Sequence, residues 1–297
     1  ELPTTVSSSV TKLLSCQSLS SPSSGVAVYP GDYAKYTSTA TTFTPFSIPS
    51  GASTSTNFTI SYTDSAGNTY SASTIYGFQP TNPSISSSNT QGYLAQLPQC
   101  DISSNPYGGA TGTYGLFNCV AIKYGAISAV VWFYEPSGGQ GVLLSIEDQQ
   151  YPNEHYQDLL LYVGTNGYLY ANDWSSGSGR ITVSTSSAIS PGWYMAVFEE
   201  WYSDGTYYLA LYLNGQFVGQ TSSTSSTFLF GTGTLPYSDI GSGFGYSPNW
   251  PNVNGAWFFF NGTIAYVAIY NTVLSQSQVQ QLYQAGFPNE LFAQNLV

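Results

Sequence analysis

Two acidic groups and one aromatic loop carry the side chains of this chain that could do chemistry. Glu199 and Glu200 are adjacent in Val197-Phe-Glu-Glu-Trp-Tyr202, a run with the alternation of a strand. A retaining glycosidase needs two carboxyls about 5 Å apart across a sugar, whereas neighbours on a strand point to opposite faces. The pair therefore reads as structural, one residue facing in and one out. Glu147, Asp148, Glu154 and Asp158 form the densest acidic group, and calcium takes oxygens of this kind. Their spacing matches no calcium loop, so a solvated acidic loop is the competing reading, and neither metal nor other cofactor is expected. His155 lies in the same loop and is the single histidine. Without a Gly-x-Ser-x-Gly elbow it supports no Ser-His-Asp triad, and cysteine and histidine numbers fit no zinc site.

The loop from Phe244 to Trp257 (FGYSPNWPNVNGAW) has a different composition. Tyr246, Trp250 and Trp257 interleave with Asn249, Asn252 and Asn254. Sugars present apolar C–H faces that stack on aromatic rings and hydroxyls that bond to amides, so these six residues are the candidate ligand-binding set. The alternative is that the aromatics only pack beneath a long loop.

Strands must position both features. Ile264, Tyr266, Ala268 and Tyr270 alternate with Thr263, Ala265, Val267 and Ile269, a strand apolar on both faces and hence buried. Ser275 then stands at an N-cap, Gln278 closes a capping box, Val279, Leu282 and Tyr283 share a helical face, and Gly286 stops the helix. The spacing predicts one helix in an otherwise β chain. This closing segment resembles that of the laminin G-like branch of the concanavalin A-like jelly rolls. The upstream order is similar too: Gly125 to Tyr134, Gly141 to Ile146, a hairpin over Asp158 to Tyr170 turning at Gly164 to Gly167, and a long hairpin over Trp193 to Val218 turning at Ser203 to Gly205. The resemblance covers residues 111–288 and implies an all-β jelly-roll sandwich. It hands over no activity, because such folds serve as lectins, glycosidases, adhesion modules and spacers. The acidic pair that the family carries after the strand's isoleucine is replaced here by Ala265 and Tyr266, and the E-x-D-x-E run of its glucan-cleaving members does not occur.

The 297 residues divide into an N-terminal arm at 1–24, a small immunoglobulin-like β domain at 25–110 and the jelly roll at 111–297. The first domain is read from a hairpin that runs Asn57 to Thr63, turns at Asp64 to Gly67 and returns through Tyr70. The linker is either 79–88 or 103–115. Only 6% of residues are charged, against about 25% in an ordinary soluble domain, and a net charge of −11 excludes nucleic acid and anionic membranes as partners. No apolar run reaches the roughly 20 residues of a membrane span. The chain begins at Glu1, as after removal of a leader. So few ion pairs leave little to lose in acid, so stability is expected to be nearly independent of pH from about 2 to 7. The composition resembles that of surface proteins of thermoacidophilic archaea or their viruses.

Cys16, Cys100 and Cys119 allow three pairings, of which Cys100 with Cys119 is expected, a loop whose closure gains about 3 kcal/mol. Asn57 and Asn261 head N-glycosylation sequons. The expected function is a non-enzymatic extracellular structural or adhesive protein, a subunit of a cell-surface filament, sheath or virion exterior. It would self-associate through the N-terminal arm, where Val6, Val10 and Leu14 suit an inserted strand. The alternative is a carbohydrate-binding lectin module with glycans as partners; a divergent glycoside hydrolase comes third.

Overall fold

The computed structural model describes residues 60–63, 69–72, 95–97, 99–149, 156–177, 179–246 and 249–284. In chain order the strands are β1 (Ile60–Thr63), β2 (Thr69–Ala72), β3 (Ala95–Gln96), β4 (Gln99–Ile102), β5 (Gly112–Gly115), β6 (Ala126–Glu135), β7 (Gly141–Glu147) and β8 (Gln157–Val163). They continue with β9 (Leu169–Ser175), β10 (Gly179–Ser184), β11 (Gly192–Ser203), β12 (Thr206–Leu213), β13 (Gln216–Ser223), β14 (Tyr237–Ile240) and β15 (Thr263–Tyr270). The helices are α1 (Leu116–Tyr124) and α2 (Gln276–Gln284).

Two antiparallel sheets make the sandwich, one ordered β13-β12-β11-β6-β15 and the other β10-β9-β8-β7-β14-β3. Period-2 alternation sets what each strand buries. Ile127, Ala129, Val131 and Phe133 of β6 and Ala196 and Phe198 of β11 face Leu161, Val163, Leu169 and Ala171 of the other sheet across one core. Two-residue hairpin turns fix the registers of β11, β12 and β13. Asp204-Gly205 has φ of 50° and 81° and Asn214-Gly215 has 51° and 78°, the left-handed pair whose twist matches that of the strands. The family's strand order is therefore present, with β6, β7, β8, β9, β11 and β12 where the sequence placed them.

α2 closes the domain as its capping box predicts. Ser275 N donates to Gln278 Oε1 at 2.8 Å and Gln278 N donates back to Ser275 Oγ at 3.3 Å. Gly286 lies outside the described residues. The helix lies beside the five-stranded sheet, Tyr283 stacking on Trp132 at 6.0 Å and Gln276 Nε2 donating to Gly215 O.

Two expectations need correction. The chain has a second helix, α1, whose Phe117 to Ile122 are all buried. An all-round apolar helix shows no amphipathic period, and this one starts at Gly115 without a side-chain cap, so neither local signal was available. Its end does carry a signal: Gly125 adopts φ 75° and bonds back to Ala121 O. The jelly roll also begins earlier than residue 111. β3 pairs with β14, β4 pairs with β5, and Cys100 is disulfide-bonded to Cys119 of α1. That pairing is the expected one; Cys16 lies outside the described residues. β1 and β2 form the predicted hairpin, Ile60 opposite Ala72. Apart from residues 95–97 and 99–110, the rest of the region at 25–110 and the arm at 1–24 lie outside the described residues.

The core contains acids. Glu199 and Glu200 point to opposite sides of β11, as adjacency requires. Glu199 lies under the segment leading to α2, where Leu274 N donates to its Oε1 at 2.8 Å and Ser128 Oγ sits 2.8 Å from the same atom. Burial lifts its carboxyl to about 7, opposed by those two hydrogen bonds. Burial lifts Glu135, at the end of β6, to about 8. No cation among the described residues is buried with them, because Lys123 and Arg180 are both exposed.

A folded-state pKa above the unfolded one means that the native protein holds protons the unfolded chain releases. This stability is complete below the ordinary carboxylate range near 4 and is lost as pH rises through about 7 to 8. These raised carboxyls predict a slope above pH 4 in place of the flat profile expected from composition. Denaturant melts should show unfolding free energy falling by a few kcal/mol on the order of magnitude between pH 4 and 8. A profile that is level, or that rises towards pH 8, would show these carboxyls to be ionised in the native state.

The disulfide closes the β4–α1 loop over a sequence separation of 19 residues. Replacing both cysteines by serine should lower the unfolding free energy by about 3 kcal/mol, read as a shifted urea midpoint at unchanged slope.

Candidate functional site

A pocket of about 330 Å³ opens at one end of the six-stranded sheet, on its outer face. Six of its eight lining residues are aromatic: Tyr156, Trp174, Phe228, Phe244, Tyr246 and Trp250; Gln157 and Asn249 complete it. The sheet supplies Gln157 at the start of β8 and Trp174 near the end of β9. Tyr156 directly precedes β8, Phe228 comes from the turn after β13, and Phe244, Tyr246, Asn249 and Trp250 come from the long loop between β14 and β15.

Packing on the sheet fixes the loop. Trp250 is buried against Val142, Leu159, Tyr162, Tyr170 and Phe258, and meets Trp174 edge-on at 6.0 Å. A tight turn presents it, since Asn249 N and Trp250 N both donate to Tyr246 O. Arg180 Nη1 donates to Asn249 O at 2.6 Å and ties the loop to β10, where Arg180 pairs across from Trp174. Phe228 N donates to Trp174 O, and Tyr156 lies edge-on to Phe228 at 6.5 Å. The floor is thus buried, while the rim offers ring faces to solvent: Tyr156 is 57% exposed and Tyr246 is 49% exposed.

Two buried polar atoms of lining residues have no hydrogen-bond partner among the described residues: the indole Nε1 of Trp250, a donor, and Oε1 of Gln157, an acceptor. Their residues are 3% and 6% exposed. Burial of an unpaired polar group costs about 1 to 3 kcal/mol, which a ligand with complementary groups recovers. A hydroxyl, donor and acceptor at once, suits both atoms.

Of the six candidate residues, the structure brings Tyr246, Asn249 and Trp250 into the pocket and assigns the others to the loop's own architecture. Asn252, at φ 54°, donates through Nδ2 to Tyr170 OH at 2.8 Å. Asn254 caps its turn, accepting from Ala256 N and donating to Trp257 O. Trp257 is buried against Phe244 and Phe259. Those three follow the alternative reading, aromatics and amides packing under a loop. Tyr156, Gln157, Trp174, Phe228 and Phe244 were not singled out in the sequence; only Phe244 lies in the candidate loop, and the others converge through long-range pairing.

The acidic group does not form one site. Glu147 is buried beside Asp239 of β14, and its Oε1 accepts from Phe244 N at 3.1 Å. Burial, then the charge of Asp239, push its carboxyl well up. Asp148 accepts from Tyr156 N at 2.9 Å. Asp158 belongs to a different set, with Asp173 and Glu200 between the sheets. Glu154 and His155 lie outside the described residues, and among the described residues no three ligating side chains come together to hold a metal. Calcium thus has no cage among Glu147, Asp148 and Asp158. Of the sequons, Asn57 lies outside the described residues. Asn261 is buried, and its Oδ1 accepts from Gln140 N at 2.8 Å, so this side chain pins the loop after β6.

Asp173 and Glu200 end the inward-facing rows Leu169, Ala171, Asp173 and Ala196, Phe198, Glu200. Asp158 and Glu200 both face the carboxyl of Asp173. Asp158 Oδ2 and Asp173 Oδ1 accept from Trp174 N at 2.6 Å each, Asp173 Oδ2 accepts from Leu229 N at 3.1 Å, and Glu200 Oε1 accepts from Thr227 Oγ1 at 2.6 Å. Burial, then the charge of Asp173, raise Asp158 and Glu200 well above the usual carboxylate range. Buried in the core, all three are closed to a substrate.

Comparison with known proteins follows this architecture. Among solved structures, the chain is similar to the Ruminococcus gnavus IT-sialidase CBM40 bound to α2,3-sialyllactose, with a TM-score of 0.43 and 17% identity over 64% of this chain and 98% of that one. The leech intramolecular trans-sialidase gives a TM-score of 0.43 and 14% identity over 65% of this chain and 28% of that one. The heptameric SAP-like pentraxin of Limulus polyphemus gives 0.36 and 15% over 56% and 72%. Sialyllactose is the ligand of the first of these proteins and says nothing by itself of this one. No curated protein sequence matches the chain. The family model of the concanavalin A-like lectin/glucanases superfamily, laminin G type, matches residues 108–280. With that match spanning more than half the chain, from the α1 approach to α2, this protein belongs to the concanavalin A-like lectin/glucanases superfamily.

Proposed function

We propose that the chain is a non-catalytic carbohydrate-binding module of an extracellular protein, and that its ligand sits in the aromatic pocket between the β14–β15 loop and the ends of β8 and β9. The observation that carries this reading is the pair of unpartnered polar atoms, Trp250 Nε1 and Gln157 Oε1, in a pocket otherwise walled by aromatic rings. Ring faces on Tyr156 and Tyr246 suit the C–H face of a pyranose, and the donor–acceptor pair suits its hydroxyls. At about 330 Å³ the pocket is at the small end of ligand sites, with room for about one or two sugar rings. Of the described carboxyls bonded to the pocket's walls, Glu147, Asp158, Asp173 and Glu200 are buried and Asp148 is part-exposed without a second open carboxyl beside it, which favours binding without chemistry. The extracellular setting draws on the disulfide. Assembly through the arm at 1–24 rests on residues outside the description, and the pocket ranks above it.

A glycan array holding neutral and sialylated oligosaccharides tests the reading, followed by calorimetry on the best binder. Trp250→Phe keeps the ring and removes the donor, and should weaken binding about tenfold, the worth of one hydrogen bond. Tyr246→Ala should weaken it by a similar factor through lost stacking. Phe217→Ala, on the other sheet, should leave it unchanged. An array without binders, or wild-type affinity in both pocket variants, would exclude this pocket as a glycan site.

A further inference from the structure

The aromatic walls of the pocket stand on the buried acids. Trp174 is held through its backbone N–H by Asp158 and Asp173. Phe228 is flanked on one side by Thr227, whose hydroxyl donates to Glu200, and on the other by Leu229, whose N–H donates to Asp173. Phe244 N donates to Glu147. Three walls from three separate chain segments are thus located by four carboxyls, and each bond runs from a wall residue or its immediate neighbour.

We propose that Asp158, Asp173, Glu200 and Glu147 are positioning residues of the pocket, so that ligand binding is linked to protons and strong in acid. This rests on the carbohydrate-binding reading for the identity of the ligand, but the link between carboxyls and walls does not. Geometry gives the direction. The groups facing the triad are Asp158 of β8, Asp173 of β9, Glu200 of β11 and the tyrosines Tyr162 of β8 and Tyr207 of β12, with Thr227 as a hydroxyl donor. Around Glu147 stand Asp239, Asp148 and Ser145. None is a cation, and Arg180 spends Nη1 on Asn249 O at the exposed rim. With the protons on, Asp158 and Glu200 face Asp173 as neutral groups. With the protons off, like charges face one another in a buried space and push apart the segments that carry Trp174 and Phe228. Burial and mutual charge hold the protons on in acid, so the pocket is set at low pH and loosens as pH rises, in the same direction as the stability change of Glu135 and Glu199.

Two readouts on the full chain separate this inference from the lectin reading. The first needs no ligand: indole N–H resonances of Trp174 and Trp250 are followed by NMR between pH 4 and 8. They should shift together. In the double variant Asp158→Asn, Glu147→Gln, whose amides keep the shape and cannot ionise, the shifts should shrink to a small fraction. Static pocket resonances in the wild type would overturn the proposal, as would simultaneous loss of all dispersed signals, since the acids would then hold the fold and not the pocket. The second readout is calorimetry with lactose and 3′-sialyllactose at pH 4, 6 and 8. Affinity for whichever binds should fall about tenfold or more from pH 4 to 8 in the wild type, one pKa unit of linkage, and stay level in the double variant. Equal affinity at every pH overturns the proton link and leaves the lectin reading standing. Failure of every glycan at every pH, with the indole shifts present, defeats the lectin reading and leaves the link.

Discussion

Seven carboxyl groups are buried among the described residues, Glu135, Glu147, Asp158, Asp173, Glu199, Glu200 and Asp239, in a protein whose described cations, Lys123 and Arg180, are both on the surface. Ionising a carboxyl in such a place gives up water without gaining a counter-charge, a cost that opposes ionisation. The groups raised by burial solve this by keeping their protons, becoming hydrogen-bond donors as well as acceptors. Between the two sheets Asp158 and Glu200, both raised by burial, face Asp173, so acid is the condition that favours their packing.

The pocket follows from where these acids lie. Inward rows on β9 and β11 change from leucine, alanine and phenylalanine to Asp173 and Glu200 at the same end of the sandwich. There the backbone amides of Trp174 and Leu229 and the hydroxyl of Thr227 turn towards the acids instead of towards another strand. Segments pinned from inside are free to present rings outward, and Trp174 and Phe228 do so. The long loop between β14 and β15 then only has to lay Tyr246 and Trp250 against them, which its packing on Tyr162, Tyr170 and Phe258 accomplishes.

Local pattern carried most of the strand order, because period-2 alternation and Asp-Gly and Asn-Gly turns are written in neighbouring residues. The Ser275–Gln278 capping box and the opposite facing of Glu199 and Glu200 were legible for the same reason. α1 was not, since a helix buried on all sides has no polar face to mark its period. Of the aromatic loop's six candidates, Tyr246, Asn249 and Trp250 line the pocket, while Asn252, Asn254 and Trp257 hold the loop together. Composition could not separate them, because an asparagine that caps a turn and one that faces a ligand look alike in a sequence. The partners Gln157, Trp174 and Phe228 come from three segments distant in sequence, joined only by sheet register and by carboxyls whose convergence no local spacing announces.

The scarcity of lysine and arginine takes on a further meaning in this light. A buried cation beside Asp158, Asp173 and Glu200 would hold them ionised, at a desolvation cost that such pairs often fail to recover. It would also reverse the pH response, since carboxylates paired with cations lose their partner's stabilisation when acid protonates them. Leaving the cations out makes Asp158 and Glu200 stabilising at low pH. The pocket is built to match: its unpartnered atoms belong to an indole and a carboxamide, groups that do not titrate in acid, so their hydrogen-bonding character is the same at pH 2 as at pH 7. Core and pocket therefore tolerate protons for one chemical reason, the replacement of charge by neutral donors and acceptors. The pH sensitivity of the pocket then enters through the acids that position its walls and not through the atoms that would touch a ligand.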